Sequence, residues 1–192
     1  MKLSSIVSTA TLSMALTLAN GSWAAPERYK LDPTHSFVTF STGHLGYSLL
    51  HGRFNQIEGE FAIDSDKADA GSIQVTIATA SVDSNFAERD KHLRSAKFLD
   101  AEKFPQATFK SRTIQEKDGI AHVEGDLTLH GVSKAVAFDA RLIGSGPDPW
   151  GGFRRGYAGT LRIKRADYEI SHNLGPAAAE VELGLYIEGI RQ

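Results

Sequence analysis

Apolar and polar residues alternate with a period of two along most of the chain, and turn residues separate the alternating runs. This pattern is typical of β-strands that bury one face and expose the other. In the clearest run, 120–130, the apolar positions are Ala121, Val123, Leu127 and Leu129, with Gly125 between them. Seven further runs bring the predicted strands to eight, and these runs centre on 36–40, 57–63, 73–77, the residues around 109, 136–142, 157–164 and 181–187.

Eight antiparallel strands, each with one apolar face, form either a two-sheet sandwich or a closed up-and-down barrel. The chain order favours the barrel, because short connections such as Lys117, Asp118, Gly119 join strands that follow one another. We therefore predict an all-β fold, an eight-stranded antiparallel up-and-down barrel. Such a barrel is filled by its own side chains or holds one slender ligand, and the alternation alone does not separate these two interiors.

The stretch 85–105 is the one clearly helical passage in this strand pattern. Asn85 and Glu88 have the spacing of a capping box, which predicts that a helix starts here. Arg89 and His92 follow on a polar and basic face. A single helix of this kind, set against a sheet, typically plugs or gates an opening.

The first 24 residues have the organisation of a secretory signal peptide. Lys2 precedes an apolar run at 6–18, and small residues lead up to Ala24. The run of about 13 residues is shorter than the roughly 20 that a membrane anchor needs. We expect cleavage after Ala24, which leaves one domain, 25–192, in the periplasm; secretion from the cell is the weaker alternative.

The charge and the cysteine count exclude several classes of function. The chain has 21 Lys and Arg against 23 Asp and Glu, a net charge of −2. Nucleic-acid binding depends on a basic surface that neutralises phosphates, so we expect no nucleic-acid partner. The absence of cysteine excludes thiol catalysis and thiolate metal sites.

The polar face of the run 120–130 has the residue types of a metal site, namely His122, Glu124, Asp126 and His130. Successive side chains on one strand face lie about 7 Å apart, which lets some pairs share an ion. Such faces are more often simply solvated, so we predict no metal. The chain has no GxSxG elbow and no Ser, His and acid set picked out by spacing. We therefore predict no catalytic residues, and a metal-dependent hydrolase is the less favoured alternative.

Seven stretches carry a resemblance to one family. They are LDPTHSFVTF at 31–40, HLGYSLLHGRF at 44–54, VDSNFAERDKHLRSAKFLD at 82–100, FPQATFKS at 104–111, GDLTLHGVSK at 125–134, DPWGGFRRG at 148–156 and LGPAAAEVELGLYIEGIRQ at 174–192. In this order they resemble the YceI family of exported, lipocalin-like polyisoprenoid-binding proteins. The chain departs from the family pattern at Glu169, where Gly or Asn is more usual, and at His172, where an ordinary polar residue is.

The resemblance implies a lipocalin-like barrel with a helical segment over one end and a hydrophobic tunnel for a long isoprenoid chain. The ligand would be an isoprenoid quinone or a polyprenyl phosphate, which the protein binds, stores or transports without a reaction and without a cofactor. A general binder of fatty acids or amides is the alternative. Transient membrane contact is compatible with this function, and a homodimer stays open.

We predict which residues contact the lipid. The head group is expected at the barrel mouth, near the donors of Arg89, His92, Arg94 and His35. One isoprene unit contributes roughly 3 to 4 kcal/mol on burial, against about 0.5 to 1.5 for a neutral hydrogen bond to the head, so the tail should dominate affinity. The predicted tunnel residues are Val38, Phe40, Phe61, Val75, Ile77, Phe98, Phe109, Val123, Leu127, Phe138, Leu161, Leu183 and Leu185.

Overall fold

The computed structural model of the chain describes residues 26–64 and 70–192. The predicted signal peptide, 1–24, lies outside the described residues. Within them, the strands are β1 (Glu27–Leu31), β2 (Phe37–His44), β3 (Ser48–Phe54), β4 (Ile57–Ile63), β5 (Ser72–Ala78), β6 (Val82–Asp83), β7 (Gln106–Lys117), β8 (Ile120–Leu129), β9 (Val132–Pro147), β10 (Phe153–Lys164) and β11 (Glu180–Arg191). The helix is α1 (Ala87–Arg94), and short 3-10 turns lie at Thr79–Ser81, Arg165–Tyr168 and Pro176–Ala178.

The strands form a closed antiparallel barrel of eight long strands, which confirms the predicted fold class. Three of the eight are interrupted, so that β1 with β2, β3 with β4, and β5 with β6 each act as one strand with a break. Neighbours in the chain pair from β4 through β5 and β7 to β11. The barrel closes because β1 pairs with both β4 and β11.

Local sequence explains the hairpins. Asp118 and Gly119 between β7 and β8 have φ of 52° and 76°, and His130 and Gly131 between β8 and β9 have φ of 52° and 77°. Two successive residues with positive φ form the turn whose twist matches paired strands, and glycine adopts this conformation at little cost. The Asp-Gly signal therefore identified its hairpin correctly.

The helix differs from the prediction. A helix over 85–105 is wrong in length, because α1 ends at Arg94 and a series of turns follows. The capping box is wrong as well: Asn85 has φ of 63°, and no side chain hydrogen-bonds at the N-cap. Asp90 fixes the helix start instead, since its Oδ1 accepts hydrogen bonds from the Ser84 backbone N–H (2.8 Å) and the Ser84 hydroxyl.

The two ends of the barrel are built differently. One end, which we call the mouth, is covered by α1 and the segment 165–179; the opposite end, the base, has the β7–β8 turn and the loop 148–152. Strands β9 and β10 pair at the base as far as Gly159 and Ala140, and then separate towards the mouth. The 3-10 turn after β10 lies against β9 there, where His130 Nδ1 is 3.0 Å from the carbonyl oxygen of Tyr168. No helix within the described residues has the length and apolar character needed to cross a membrane.

Candidate ligand-binding site

The barrel encloses two adjoining cavities with apolar walls. The inner cavity, towards the base, has a volume of about 910 Å³, and the outer cavity, beneath the mouth, about 990 Å³, both counted out to their open sides. Val38, Ile77, Leu127 and Leu183 line both cavities, so the two cavities adjoin at these residues, and together we call them the tunnel.

All thirteen predicted tunnel residues lie on the tunnel wall. Their side chains point inwards because each occupies the apolar face of an alternating strand, apart from Phe98, which follows α1. Contact between these residues and a ligand stays a prediction. Four line both cavities as named above, Phe40 and Phe98 line the outer one, and the inner one has Phe61, Val75, Phe109, Val123, Phe138, Leu161 and Leu185.

A partly buried polar network lies beside the inner cavity at the base. Tyr157 lies on the cavity wall and donates a hydrogen bond from its hydroxyl to Glu116 Oε2 at 2.5 Å. Arg155, two residues earlier on the same face of β10, donates from Nη2 to Glu116 Oε1 at 2.6 Å and from Nε to the Tyr157 hydroxyl at 2.5 Å. Burial, together with the hydrogen bond to Glu116, raises the pKa of Tyr157 above its usual range, so the phenol stays neutral. The guanidinium of Arg155 is therefore already paired with the Glu116 carboxylate.

At the mouth, apolar side chains from two different elements complete the wall of the outer cavity. Leu93 belongs to α1 and Phe98 to the turns after it, while Ile170 and Leu174 come from the segment 165–179. Because neither element belongs to the paired barrel strands, the opening depends on how they pack over it.

Arg165 holds this segment in place. Its Nε donates to the carbonyl oxygen of Ala178 at 2.6 Å, and its Nη1 to those of His172 at 3.1 Å and Ile170 at 3.4 Å. The side chain also lines the outer cavity, and burial lowers the pKa of its guanidinium. Sequence reasoning missed Arg165. The alternation gave a signal, because Arg165 lies two residues after the inward-facing Ile163 and so falls on the same face.

The predicted head-group residues do not meet at one point. Arg89 donates from Nε to Ser84 Oγ at 2.7 Å and from Nη2 to the Ser84 carbonyl oxygen at 2.5 Å. Arg94 Nη1 lies 3.4 Å from the carbonyl oxygen of Val82. Both arginines therefore fasten α1 to the chain that precedes it.

His92 is the predicted head-group residue nearest the opening. It is exposed, and its ring packs edge to face on Phe98 with 4.9 Å between ring centroids. His172 packs on the same phenylalanine at 5.2 Å and lies 6.0 Å from His92. Since Phe98 lines the outer cavity, two imidazoles stand beside the tunnel opening, and the sequence had indicated only one of them.

His35 lies in the break between β1 and β2, towards the base, and not with the other three. Its Nδ1 is 2.9 Å from Asp32 Oδ2, and Asp32, His35 and Glu188 bring possible metal-ligand atoms within 4.8 Å of one another. Arg154 Nη1 donates to Asp32 Oδ2 at 2.7 Å and to Glu188 Oε1 at 2.5 Å. The Arg154 guanidinium therefore compensates the charges of both carboxylates.

The polar face of β8 is divided among separate partners. His122 Nδ1 contacts Asp139 Oδ1 at 2.7 Å, and Arg112 Nη1 pairs with Asp126 Oδ1 at 3.3 Å. His130 turns to the backbone of the segment after β10. The four residues with metal-like side chains therefore do not converge on one point.

Comparison with known proteins identifies the family. The family model described as a YceI-like domain matches residues 29–189. The chain belongs to the YceI family. A UPF0312 protein of Pseudomonas aeruginosa is 48% identical over 185 residues, which cover 95% of this chain and 97% of that protein. A UPF0312 protein of Shewanella baltica is 50% identical over 159 residues, covering 82% of this chain and 83% of the relative.

Solved YceI-type structures share the barrel. The crystal structure of Campylobacter jejuni YceI aligns with a TM-score of 0.70 at 28% identity, over 78% of this chain and 89% of that one. Burkholderia cenocepacia BcnA aligns with a TM-score of 0.72 at 25% identity, over 82% and 98%. A polyisoprenoid binding domain from Saccharophagus degradans shares the fold, with a TM-score of 0.64 at 20% identity over 85% and 98%.

Proposed function

We propose that this protein binds a long-chain isoprenoid lipid, an isoprenoid quinone or a polyprenyl phosphate, and stores or carries it in the periplasm without a chemical reaction. The apolar walls of the two adjoining cavities support this proposal most directly. The name of the Saccharophagus degradans domain, which describes polyisoprenoid binding in that protein, points in the same direction.

The two ends of the tunnel determine how such a lipid would lie. Each buried methylene contributes about 0.8 kcal/mol, so the tail gains most in the apolar interior. At the base, Arg155 is paired with Glu116 and Tyr157. The tail therefore points to the base, and the head group stays at the mouth beside His92 and His172.

The decisive experiment is identification of the lipid that the native protein carries. Organic extraction of protein purified without detergent, followed by mass spectrometry, is expected to yield a prenyl quinone or a polyprenyl phosphate. Delipidated protein should take up either lipid again, and competition with fatty acids or amides measures its preference. An empty extract, together with no uptake of either prenyl lipid, would overturn the proposal, and stronger binding of acyl chains would replace it with a general acyl-chain binder.

The location has its own test. Cell fractionation should place the protein in the periplasm, and mass spectrometry of its N-terminus should begin at Ala25. A chain that keeps residues 1–24 and stays in the cytoplasmic fraction would contradict this part of the proposal.

The role of α1 in head-group selection is tested by Arg89→Ala. If Arg89 contacts the head, the variant should discriminate less between quinone and phosphate heads while still binding the tail. Lys91→Ala, which removes an exposed cation from the same helix, is the matched control. Unfolding of the barrel in Arg89→Ala would show that its bonds to Ser84 are structural.

A further inference from the structure

The partly buried arginines at the two ends of the barrel have different partners. At the base, Arg155 Nη2 pairs with Glu116 at 2.6 Å, and Arg154 Nη1 pairs with Asp32 at 2.7 Å. At the mouth, Arg165 donates only to main-chain carbonyl oxygens, and none of its partners among the described residues is a carboxylate. The two arginines at the base are therefore neutralised, and the one at the mouth is not.

The acidic side chains next to Arg165 do not supply the missing charge. Asp167 and Glu169 follow it in the chain and are exposed, and Glu180, at the start of β11, is exposed as well. None of the three carboxylates bonds to the guanidinium. Burial lowers the pKa of the Arg165 guanidinium, yet an arginine stays protonated at neutral pH. Arg165 is therefore a half-buried cation without a counter-charge.

This cation faces the ligand site, because Arg165 lines the outer cavity. Apart from Arg165 and Thr42, the described residues on that wall are apolar. The Thr42 hydroxyl is uncharged and donates to the carbonyl oxygen of Glu180 at 2.9 Å. Within the part of the chain that the structure describes, Arg165 is thus the one charged side chain on the wall of the outer cavity.

The guanidinium also keeps donors in reserve. A guanidinium carries five N–H groups in a planar fork. Nε and Nη1 of Arg165 donate to main-chain carbonyls, whereas Nη2 donates to no acceptor among the described residues. Carbonyl oxygens satisfy individual N–H groups but leave the positive charge in place. An anion with two or more oxygens supplies both the acceptor and the charge.

We propose that Arg165 binds the head group of the ligand and selects a head with negative charge. This step rests on the proposed function, and within it the favoured lipid is a polyprenyl phosphate rather than a neutral isoprenoid quinone. The phosphate lies in the outer cavity against Arg165, and the tail runs towards the base. A carboxylate matches the same fork, so a fatty acid is the competing source of this charge.

The test compares lipids that share a tail and differ in the charge of the head. A polyprenyl phosphate and the uncharged polyprenol of the same length are titrated into delipidated protein, with a fluorescent prenyl lipid as the displaced probe. Wild-type protein should bind the phosphate at least about tenfold more tightly, because hydrogen bonds between charged partners are the strong ones.

Two substitutions separate head-group binding from a structural role. Arg165→Gln removes the charge and keeps an amide donor, so the preference for phosphate should disappear while the affinity for polyprenol stays the same. Arg165→Lys keeps the charge without the fork and should retain part of the preference. If Arg165 only fastens the segment 165–179, Arg165→Gln should weaken both lipids equally and leave their ratio at the wild-type value.

The matched control is Arg162→Gln. Arg162 is exposed on the same strand, and its Nη2 pairs with Glu182 at 2.9 Å, so its loss should leave the ratio unchanged. Wild-type protein that binds phosphate and polyprenol equally would overturn the proposal, and this result does not depend on the folding of any variant. An unchanged ratio in Arg165→Gln would overturn it too.

A second pair of lipids, a fatty acid and its fatty alcohol, lets the two proposals fail separately. If no prenyl lipid binds, but wild type prefers the fatty acid and Arg165→Gln does not, the role of Arg165 stands and the prenyl ligand falls. If polyprenyl phosphate, polyprenol and prenyl quinone bind equally well, the proposed function stands and the role of Arg165 falls. Binding of none of these lipids overturns both.

Discussion

Tyr157, on the wall of the inner cavity, donates a hydrogen bond to Glu116 Oε2 across 2.5 Å at the base of the barrel. Arg155 bonds to both residues, and the side chains of Arg155 and Glu116 are largely shielded from water. Removal of one partner from such a pair leaves the other charge without compensation. In this network each charge therefore depends on its partner.

Replacement of this arginine should destabilise the barrel. Arg155→Met leaves the Glu116 carboxylate shielded and without its cationic partner, and we expect a loss of about 3 to 5 kcal/mol in the free energy of unfolding. Urea denaturation followed by circular dichroism measures it. The double variant Arg155→Met/Glu116→Gln removes both charges and should lose clearly less. Equal losses in the single and double variants would contradict the dependence of one charge on the other.

Asp32 should make stability depend on pH in the acid range. The hydrogen bond from Thr34, with further bonds to His35 and Arg154, holds the pKa of Asp32 well below its ordinary value of 3.8, although burial opposes this. A pKa that is lower in the folded protein favours folding above the unfolded value, and the contribution is lost as pH falls through the folded value. Stability should therefore decline below about pH 5.

The substitution Asp32→Asn tests this assignment. It should cost about 1 to 3 kcal/mol at neutral pH, because a charged acceptor of several hydrogen bonds is lost, and it should flatten the acid decline. Urea denaturation at a series of pH values measures both effects. Asp118→Asn, in the exposed β7–β8 turn, is the control that should follow the wild-type curve. An unaltered acid decline in Asp32→Asn would assign the pH dependence to other groups.

The junction of the two cavities should control the length of tail that fits. Leu183 lines both cavities, so Leu183→Trp should block passage to the inner one. We expect affinity for long prenyl tails to fall at least about tenfold while short tails still bind, since each lost methylene contact costs about 0.8 kcal/mol. Native mass spectrometry with quinones of increasing tail length measures this. Thr160→Trp puts the same side chain at an exposed position of β10 and should bind all tail lengths as wild type does. Loss of long-tail binding in Thr160→Trp would contradict control of tail length by the junction of the two cavities.

Glu169 should be replaceable with a gain in stability. Its φ of 58° lies in the left-handed region, which costs a residue with a β-carbon about 1 to 2 kcal/mol. Glu169→Gly should therefore raise the free energy of unfolding by about 0.5 to 1 kcal/mol. Thermal and urea unfolding test it, with Ala166→Gly in the 3-10 turn that precedes Glu169 as the control that should lose stability. Destabilisation by Glu169→Gly would mean that the glutamate side chain makes contacts worth more than the strain.

Strands were the most predictable feature, because alternation at period two is a property of each strand by itself. The run 120–130 illustrates this: β8 occupies Ile120–Leu129, and Ala121, Val123 and Leu127 are buried. The same alternation oriented twelve of the thirteen wall residues, all except Phe98, which lies in the turns after α1. β1 was missed because its five residues, ERYKL, are too few to show a period, yet it is the strand that closes the barrel.

The helix shows how contacts override local pattern. Residues after Arg94 keep helical spacing in the sequence, but Phe104 packs on His130 with 4.7 Å between ring centroids, and Thr79 N donates to the Pro105 carbonyl oxygen at 3.0 Å. These contacts hold the chain against the barrel, so turns replace the predicted helix after Arg94. Capping by Asn85 failed for the same reason, since Asp90 holds the preceding residues instead.

The sequence by itself determined the strands, their inward faces and the Asp-Gly turn, because each depends on neighbours in the chain. Only the tertiary structure decided whether the interior is open. The interior is open where the space inside the barrel exceeds the summed volume of the inward-facing side chains from all its strands. It also decided which charged residues lie at the mouth. Arg165 and His172 reach the tunnel opening because the segment after β10 folds back over it. Arg155 is paired at the base because Glu116, 39 residues away along the chain, lies within hydrogen-bonding distance of it.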